Sequence, residues 1–213
     1  ALRLLGQREH SRTELERNLP AETLDHHAVH LSANMELLEE IPFILNQGVN
    51  SIGLFRSEFF CMDDKQFPSE EVQFQYYSEI LKRFAPQPVT MRTFDVGGDK
   101  TPHLLDLKGE SNPALGLRAI RYLLKHPEIL RTQLRAMLRA SVHGNLRIMF
   151  PLISDVEELK QAKKITYEMM AELKAQHIQI RESIQIGIMI ETPSAVMISD
   201  LLAPEVDFFC VGT

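Results

Sequence analysis

The chain has 213 residues, 44% of them hydrophobic and 24% charged, with a formal net charge of −6; these values suit one sizeable globular domain and argue against a non-specific hold on nucleic acid or an anionic membrane. No apolar run approaches the roughly 18 residues of a membrane span, and the start, Ala1-Leu2-Arg3-Leu4-Leu5, lacks the long apolar core of a secretory signal. The two cysteines, Cys61 and Cys210, stand far apart in no metal-ligand spacing, which fits free thiols in a reducing, cytoplasmic setting.

Residues 1–19 read as a helical lead-in. No Pro/Gly/Ser linker divides the rest of the chain, so 20–213 is expected to be one domain. Six short apolar, β-prone runs recur along it, at 29–35, 51–55, 88–94, 146–152, 184–190 and 206–211. The fourth and fifth are almost continuously apolar, as strands covered on both faces should be. Helical segments lie between the runs. Ser69 precedes Glu70 and Glu71, an N-cap followed by acids suited to the positive end of a helix. Val72, Tyr76, Ile80 and Phe84 follow at helical spacing before Pro86 stops the helix. Pro113 suits the first turn of another helix, and Pro127 divides 114–140 into two. Ser154 with Glu157 reads as a capping box ahead of Val156, Leu159, Ile165 and Leu173, and Thr192-Pro193 opens the last helix.

Strand and helix alternating six times predicts a parallel α/β sheet built from right-handed crossovers. Each unit takes about 31 residues, so eight would need about 250, the usual length of a (β/α)₈ TIM-type barrel. An open doubly wound sheet is the rival, weakened because no Gly-x-Gly-x-x-Gly follows the first strand. On the barrel reading the chain is truncated after the sixth strand, and the natural protein is expected to continue past Thr213 with two more β/α units.

In such a barrel, function gathers where strands give way to loops. Those positions carry Asn34, Arg56 and Glu58, Arg92 and Asp95, Pro151, Glu191, and Gly212-Thr213. Arginine offers a donor fork matched to phosphate or carboxylate. A glutamate facing a bound anion needs a cation between them, and Mg²⁺ binds through one or two carboxylates plus substrate oxygens. The plainer readings are surface ion pairs for the arginines and a helix-start acid for Glu191; spacing alone leaves both open. Gly97-Gly98 allows a tight turn and close backbone approach to a ligand, without P-loop spacing.

Five segments and a closing one carry a resemblance. Gly53-Leu54-Phe55-Arg56-Ser57-Glu58-Phe59, Arg92-Thr93-Phe94-Asp95-Val96-Gly97-Gly98-Asp99-Lys100 and Asn112-Pro113-Ala114-Leu115-Gly116-Leu117-Arg118-Ala119-Ile120-Arg121 come first. Arg147-Ile148-Met149-Phe150-Pro151-Leu152-Ile153, Gly187-Ile188-Met189-Ile190-Glu191-Thr192-Pro193 and 206–213 complete the set. In order and spacing they resemble the phosphoenolpyruvate-utilising enzymes, and most of all the Enzyme I family of phosphoenolpyruvate-protein phosphotransferases of the bacterial phosphotransferase system. The resemblance covers about residues 18 to 213.

It implies a (β/α)₈ barrel that binds phosphoenolpyruvate with Mg²⁺ and usually forms a homodimer. Arg56 and Arg92 match the arginines that bind the substrate phosphate, Glu191 a magnesium ligand, and Arg118 a further active-site arginine. The family's activity moves a phosphoryl group from phosphoenolpyruvate to a histidine in a separate N-terminal domain, then to the phosphocarrier protein HPr or a paralogue, releasing pyruvate. The family's Asn-Asp after Gly-Thr, a later arginine and a proton-donating cysteine match nothing in this sequence. Neither Cys61 nor Cys210 lies in that cysteine's motif, and no histidine here matches the acceptor; His26-His27 reads as an exposed turn. No catalytic residue is therefore assigned, and the chain alone is expected to be inactive. Two alternatives stand beside this one: the barrel of a relative of pyruvate phosphate dikinase or phosphoenolpyruvate synthase, and a non-catalytic sensing or dimerisation module. Arg131, Arg135 and Arg139 share one helix face and read as a solvated or acid-paired stripe, and the methionines as core filler.

Overall fold

A computed structural model describes residues 19–61, 67–97 and 116–212. The lead-in up to residue 18, Gly98-Asp99-Lys100, 112–115 with Pro113, and Thr213 lie outside the described residues.

All six expected strands are present: β1 (Ala33–Met35), β2 (Ile52–Arg56), β3 (Pro88–Arg92), β4 (Asn145–Phe150), β5 (Gln185–Ile190) and β6 (Phe208–Val211). Each pairs in parallel with its sequence neighbour, in the order β1-β2-β3-β4-β5-β6. A doubly wound sheet reverses its strand order at a switch point, and this one does not. The result is a curled half-barrel, the expected TIM-type architecture as far as its sixth strand.

Two separate apolar clusters on opposite faces of the sheet follow from that curl. Leu54, Met149 and Met189, with Phe208 and Cys210 against them, fill the concave interior. Phe55, Val89, Met91, Ile148, Phe150 and Ile188 face the other way, into the layer beneath the helices. Alternating residues of one strand thus serve two cores, which is why β4 and β5 are apolar throughout.

The helices are α1 (Ile41–Asn46), α2 (Glu70–Phe84), α3 (Ile120–Lys125), α4 (Pro127–Ala140), α5 (Val156–Ala175), α6 (Pro193–Met197) and α7 (Ser199–Leu202). Ser69 caps α2 by accepting from the Val72 N–H, and Thr192 caps α6 by accepting from Ala195. Pro127 stands at the start of α4, where its missing N–H costs nothing. Two local expectations shift. The cap of α5 is Asp155, whose Oδ1 accepts from the Glu158 N–H at 2.7 Å, while Glu158 turns back to the Ser154 N–H; the pattern stands one residue later than Ser154–Glu157. The face of α2 that packs inward carries Gln73, Tyr77, Ile80, Leu81 and Phe84, and Val72 is 49% exposed.

The arginine stripe of α4 is acid-paired. Arg131 pairs with Glu168 and Glu172 of α5, Arg135 and Arg139 grip Glu70 of α2 at 2.8 Å, and Arg139 also reaches Glu71. The network laces three neighbouring helices together. Among the described residues, no helix is long and apolar enough to cross a membrane.

Candidate functional site

The C-terminal strand ends form a pocket of about 570 Å³ whose wall includes Asn34, Arg56, Arg92, Glu191, Cys210 and Gly212. Parallel pairing sets Arg56 and Arg92 directly beside each other as the last residues of β2 and β3. The sheet's alternation points both inward, on the same face as Leu54, two residues before Arg56, and Met149, which pairs with Arg92 from β4.

Their surroundings differ. Arg56 is about a third exposed, with one Nη donating to Glu36 Oε1 at 2.6 Å. Arg92 is buried to 5% exposure, where a charge persists only if it is compensated. Compensation comes from Glu58, itself fully buried just beyond β2, which accepts from Nη2 of Arg92. Asp95 Oδ2 lies 3.4 Å from the same nitrogen. Two carboxylates thus fix the Arg92 guanidinium from behind.

Arg118 does not line the pocket. Asp95 holds it through two parallel hydrogen bonds, 2.7 Å from Nε and 2.9 Å from Nη2, so Arg118 joins the site through Asp95, in the row behind Arg92. Gly97 explains how the chain passes so close. Its φ is +120°, and a Cβ there would stand 2.9 Å from both the Arg118 Cα and the Leu117 carbonyl. This glycine is required by the approach of Arg118's own backbone.

Glu191 follows β5 and is solvent-exposed at the pocket wall. Its Oε1 accepts from the Leu152 N–H at 2.7 Å, and Leu152 holds a left-handed φ of +57° to present that donor. A side chain on Gly212 would come within 3.0 Å of the Glu191 Cβ, so the β6 end also borders it. Burial pushes the Cys210 thiol above its ordinary range; neighbouring Arg92 opposes this and Glu191 adds to it.

Among the described residues, Glu191 is the carboxylate on the pocket wall. No group of three or more His, Cys, Asp or Glu suited to a metal occurs among the described residues. Mg²⁺ needs only one or two protein carboxylates, completing its shell with water and substrate oxygens, so Glu191 fits as a single oxygen ligand. The arrangement as a whole suits a small anion carrying a phosphate or carboxylate: two guanidinium groups side by side, one rigidly backed, with a carboxylate across the pocket.

Sequence reasoning brought Arg56, Arg92 and Glu191 to one pocket, placed Glu58 and Asp95 at strand ends without a role, and missed Ser57 and Gln133. The latter two are polar, fully buried and joined to the strand ends from the helical side; the one signal available was a glutamine inside the apolar stripe of α4.

Comparison with known proteins places the chain in a family. The profile of the PEP-utilising enzyme PEP-binding domain matches residues 10–213. The chain is 48% identical over 189 residues to a phosphoenolpyruvate-protein phosphotransferase of Priestia megaterium, covering 89% of this chain and 33% of that protein. It is 45% identical over 197 residues to the protein of that name from Staphylococcus carnosus (strain TM300), 92% of this chain and 34% of the relative. Against the Bacillus subtilis (strain 168) protein of the same name it is 45% identical over 196 residues, with the same coverage. The chain spans about a third of the length of these relatives.

Proposed function

The chain belongs to the PEP-utilising enzyme family through its PEP-binding domain, and from that premise we propose that it is the substrate-binding part of a phosphoenolpyruvate-protein phosphotransferase. The observation that carries this reading is the register pairing of Arg56 with Arg92 in the pocket that Glu191 also lines.

In this reading the two guanidinium groups take the phosphoryl group of phosphoenolpyruvate. Arg92 is held by Glu58 and Asp95, so it is oriented before substrate arrives and loses little freedom on binding. Arg56, more exposed, exchanges part of its contact with Glu36 for substrate. Glu191 offers an oxygen to Mg²⁺, which when bound supplies positive charge to the phosphoryl oxygens. Phosphoryl transfer depends mostly on positioning and charge stabilisation, and those are the tasks this chain's residues serve. The P–O bond to the enol oxygen breaks, the phosphorus bonds to a histidine nitrogen of another domain, and the enolate takes a proton to become pyruvate. HPr or a paralogue as the next acceptor, a homodimer, a cytoplasmic setting, and a barrel domain from residue 20 after a lead-in of 1–19 complete the proposal.

The test is Arg92→Ala in the full-length protein, followed by phosphoryl transfer from phosphoenolpyruvate to the protein. A loss of about a thousandfold is expected, the scale of removing one charge-stabilising donor. Turnover within a few-fold of the unsubstituted protein would sink the reading.

A further inference from the structure

Behind the arginines, on the helical side of the sheet, lies a polar group that the phosphate site does not use directly. Gln133 projects from α4 into the apolar layer at 0% exposure. Its Oε1 accepts from the Phe94 backbone N–H at 3.0 Å. Its Nε2 donates to Ser57 Oγ at 2.9 Å and to Tyr77 Oη at 3.2 Å. Ser57 Oγ in turn donates to the Arg92 carbonyl at 2.6 Å. Tyr77 donates to Gln73 Oε1, and Gln73 Nε2 to the Pro68 carbonyl.

The direction of each bond is determined. A backbone N–H only donates, so the amide oxygen must face Phe94 and the NH₂ must face the hydroxyls. The Arg92 carbonyl only accepts, so the Ser57 hydroxyl spends its proton there. A carboxylate or a hydrocarbon at position 133 could not complete both halves.

What this group clamps is specific. Regular pairing of β2 and β3 ends at Arg56 and Arg92. Immediately beyond, the chain carries Ser57 and Glu58 on one side and Phe94 and Asp95 on the other. Gln133 ties Phe94 and, through Ser57, Arg92 into one cycle, so the backbone is gripped on both sides of Thr93. From this gripped segment Arg92 extends to the pocket and Asp95 to the back of its guanidinium, and from beside Ser57 comes Glu58, which orients Arg92.

Resting on the phosphoryl-binding reading above, we propose that Gln133 is a positioning residue for that site: it fixes the β2 and β3 ends so that the Arg92 guanidinium meets the phosphoryl group in the productive orientation. A misplacement of about 1 Å suffices to cost roughly a hundredfold in rate, and loss of this amide frees two adjoining strand ends at once.

The experiment uses the full-length protein with four variants: Gln133→Leu, Ser57→Ala, Arg92→Ala and Leu159→Ala. Leu159 is fully buried on α5, away from the pocket, and serves as a control for lost packing. For Gln133→Leu, kcat/KM for phosphoenolpyruvate is expected to fall tenfold or more per folded molecule, with the loss mainly in kcat, because attraction survives while orientation does not. Leu159→Ala should lose at least as much thermal stability yet keep kcat/KM within twofold. Where Gln133→Leu does not fold, Ser57→Ala decides: it deletes the tether to Arg92, and kcat should fall at least threefold. Unchanged kcat/KM in the folded Gln133 or Ser57 variant overturns the proposal, as does an equal loss in Leu159→Ala. Normal turnover in Arg92→Ala instead overturns the phosphoryl-binding reading, and this inference with it.

Discussion

Asp95 and Arg118, 23 positions apart in sequence, are joined by two parallel hydrogen bonds of 2.7 and 2.9 Å, and the same carboxylate lies 3.4 Å from Arg92. Asp95 therefore couples two of the three arginines of the site while contributing nothing to the pocket wall. Removing it leaves two guanidinium groups competing for compensation in a poorly hydrated place.

Asp95→Ala should accordingly damage stability and binding together. Breaking a buried ion pair from one side costs about 3 kcal/mol or more, and both arginine side chains here are mostly buried, at 6% and 16% exposure. Calorimetric unfolding of the full-length protein should show the barrel transition shifted down by several degrees, together with weakened binding of phosphoenolpyruvate. An unshifted transition would show that solvent or other acids take over the role of Asp95.

The helix shell makes a separate prediction about pH. Burial would raise the Glu70 pKa, but hydrogen bonds and charge from Arg135 and Arg139 outweigh it and leave it below the ordinary 4.5. Arg139 moves the opposite way, upward, as its partner should. A carboxylate whose pKa falls on folding stabilises the fold above its unfolded pKa, and that contribution is lost as pH falls through the folded value. Stability should therefore decline as pH drops from about 4.5, and Glu70→Gln should flatten that part of the curve. Parallel curves for the two proteins in denaturant titrations between pH 3 and 7 would contradict the assignment.

Cys210 provides a reporter of the pocket. Burial holds its thiol above the ordinary range, and the thiolate is the reactive form, so alkylation should be slow at neutral pH. Because Cys210 lines the pocket, phosphoenolpyruvate with Mg²⁺ should slow it further, about tenfold at ten times the dissociation constant. Mass spectrometry of the peptide containing Cys210 gives the rate directly; equal rates with and without ligand would place the ligand elsewhere.

Much of the fold is legible in the sequence because the barrel repeats a simple physical pattern. Apolar runs with helix caps between them mark all six strands, and the two-sided burial of β4 and β5 appears as uninterrupted hydrophobicity. The first strand is shorter than its apolar run: 29–32 is β-prone, yet Val29 and Leu31 are 46% and 62% exposed, and regular pairing with β2 begins at Ala33. The inward face of α2 escapes a hydrophobic pattern because Gln73 and Tyr77 occupy it and satisfy each other's polar atoms. Asp155 and Ser154 are equally good cap residues, so the cap could not be placed to the residue.

For the site, Arg56, Arg92 and Glu191 could be found by position at strand ends together with family motifs. Their supporting acids could not. Glu36 reaches Arg56 and Glu58 reaches Arg92 only because adjacent parallel strands bring them together, and Arg118 arrives behind Asp95 only because Gly97 lets the two backbones touch.

In the proposed function, the prearranged guanidinium of Arg92 binds the phosphoryl group beside Arg56 and Glu191. Titration calorimetry of the full-length protein with phosphoenolpyruvate, with and without Mg²⁺, for the unsubstituted protein and for Arg92→Ala, tests it most directly. Saturable binding is expected, strengthened by Mg²⁺ and weakened at least a hundredfold by Arg92→Ala. Binding of equal strength in the two proteins would contradict it.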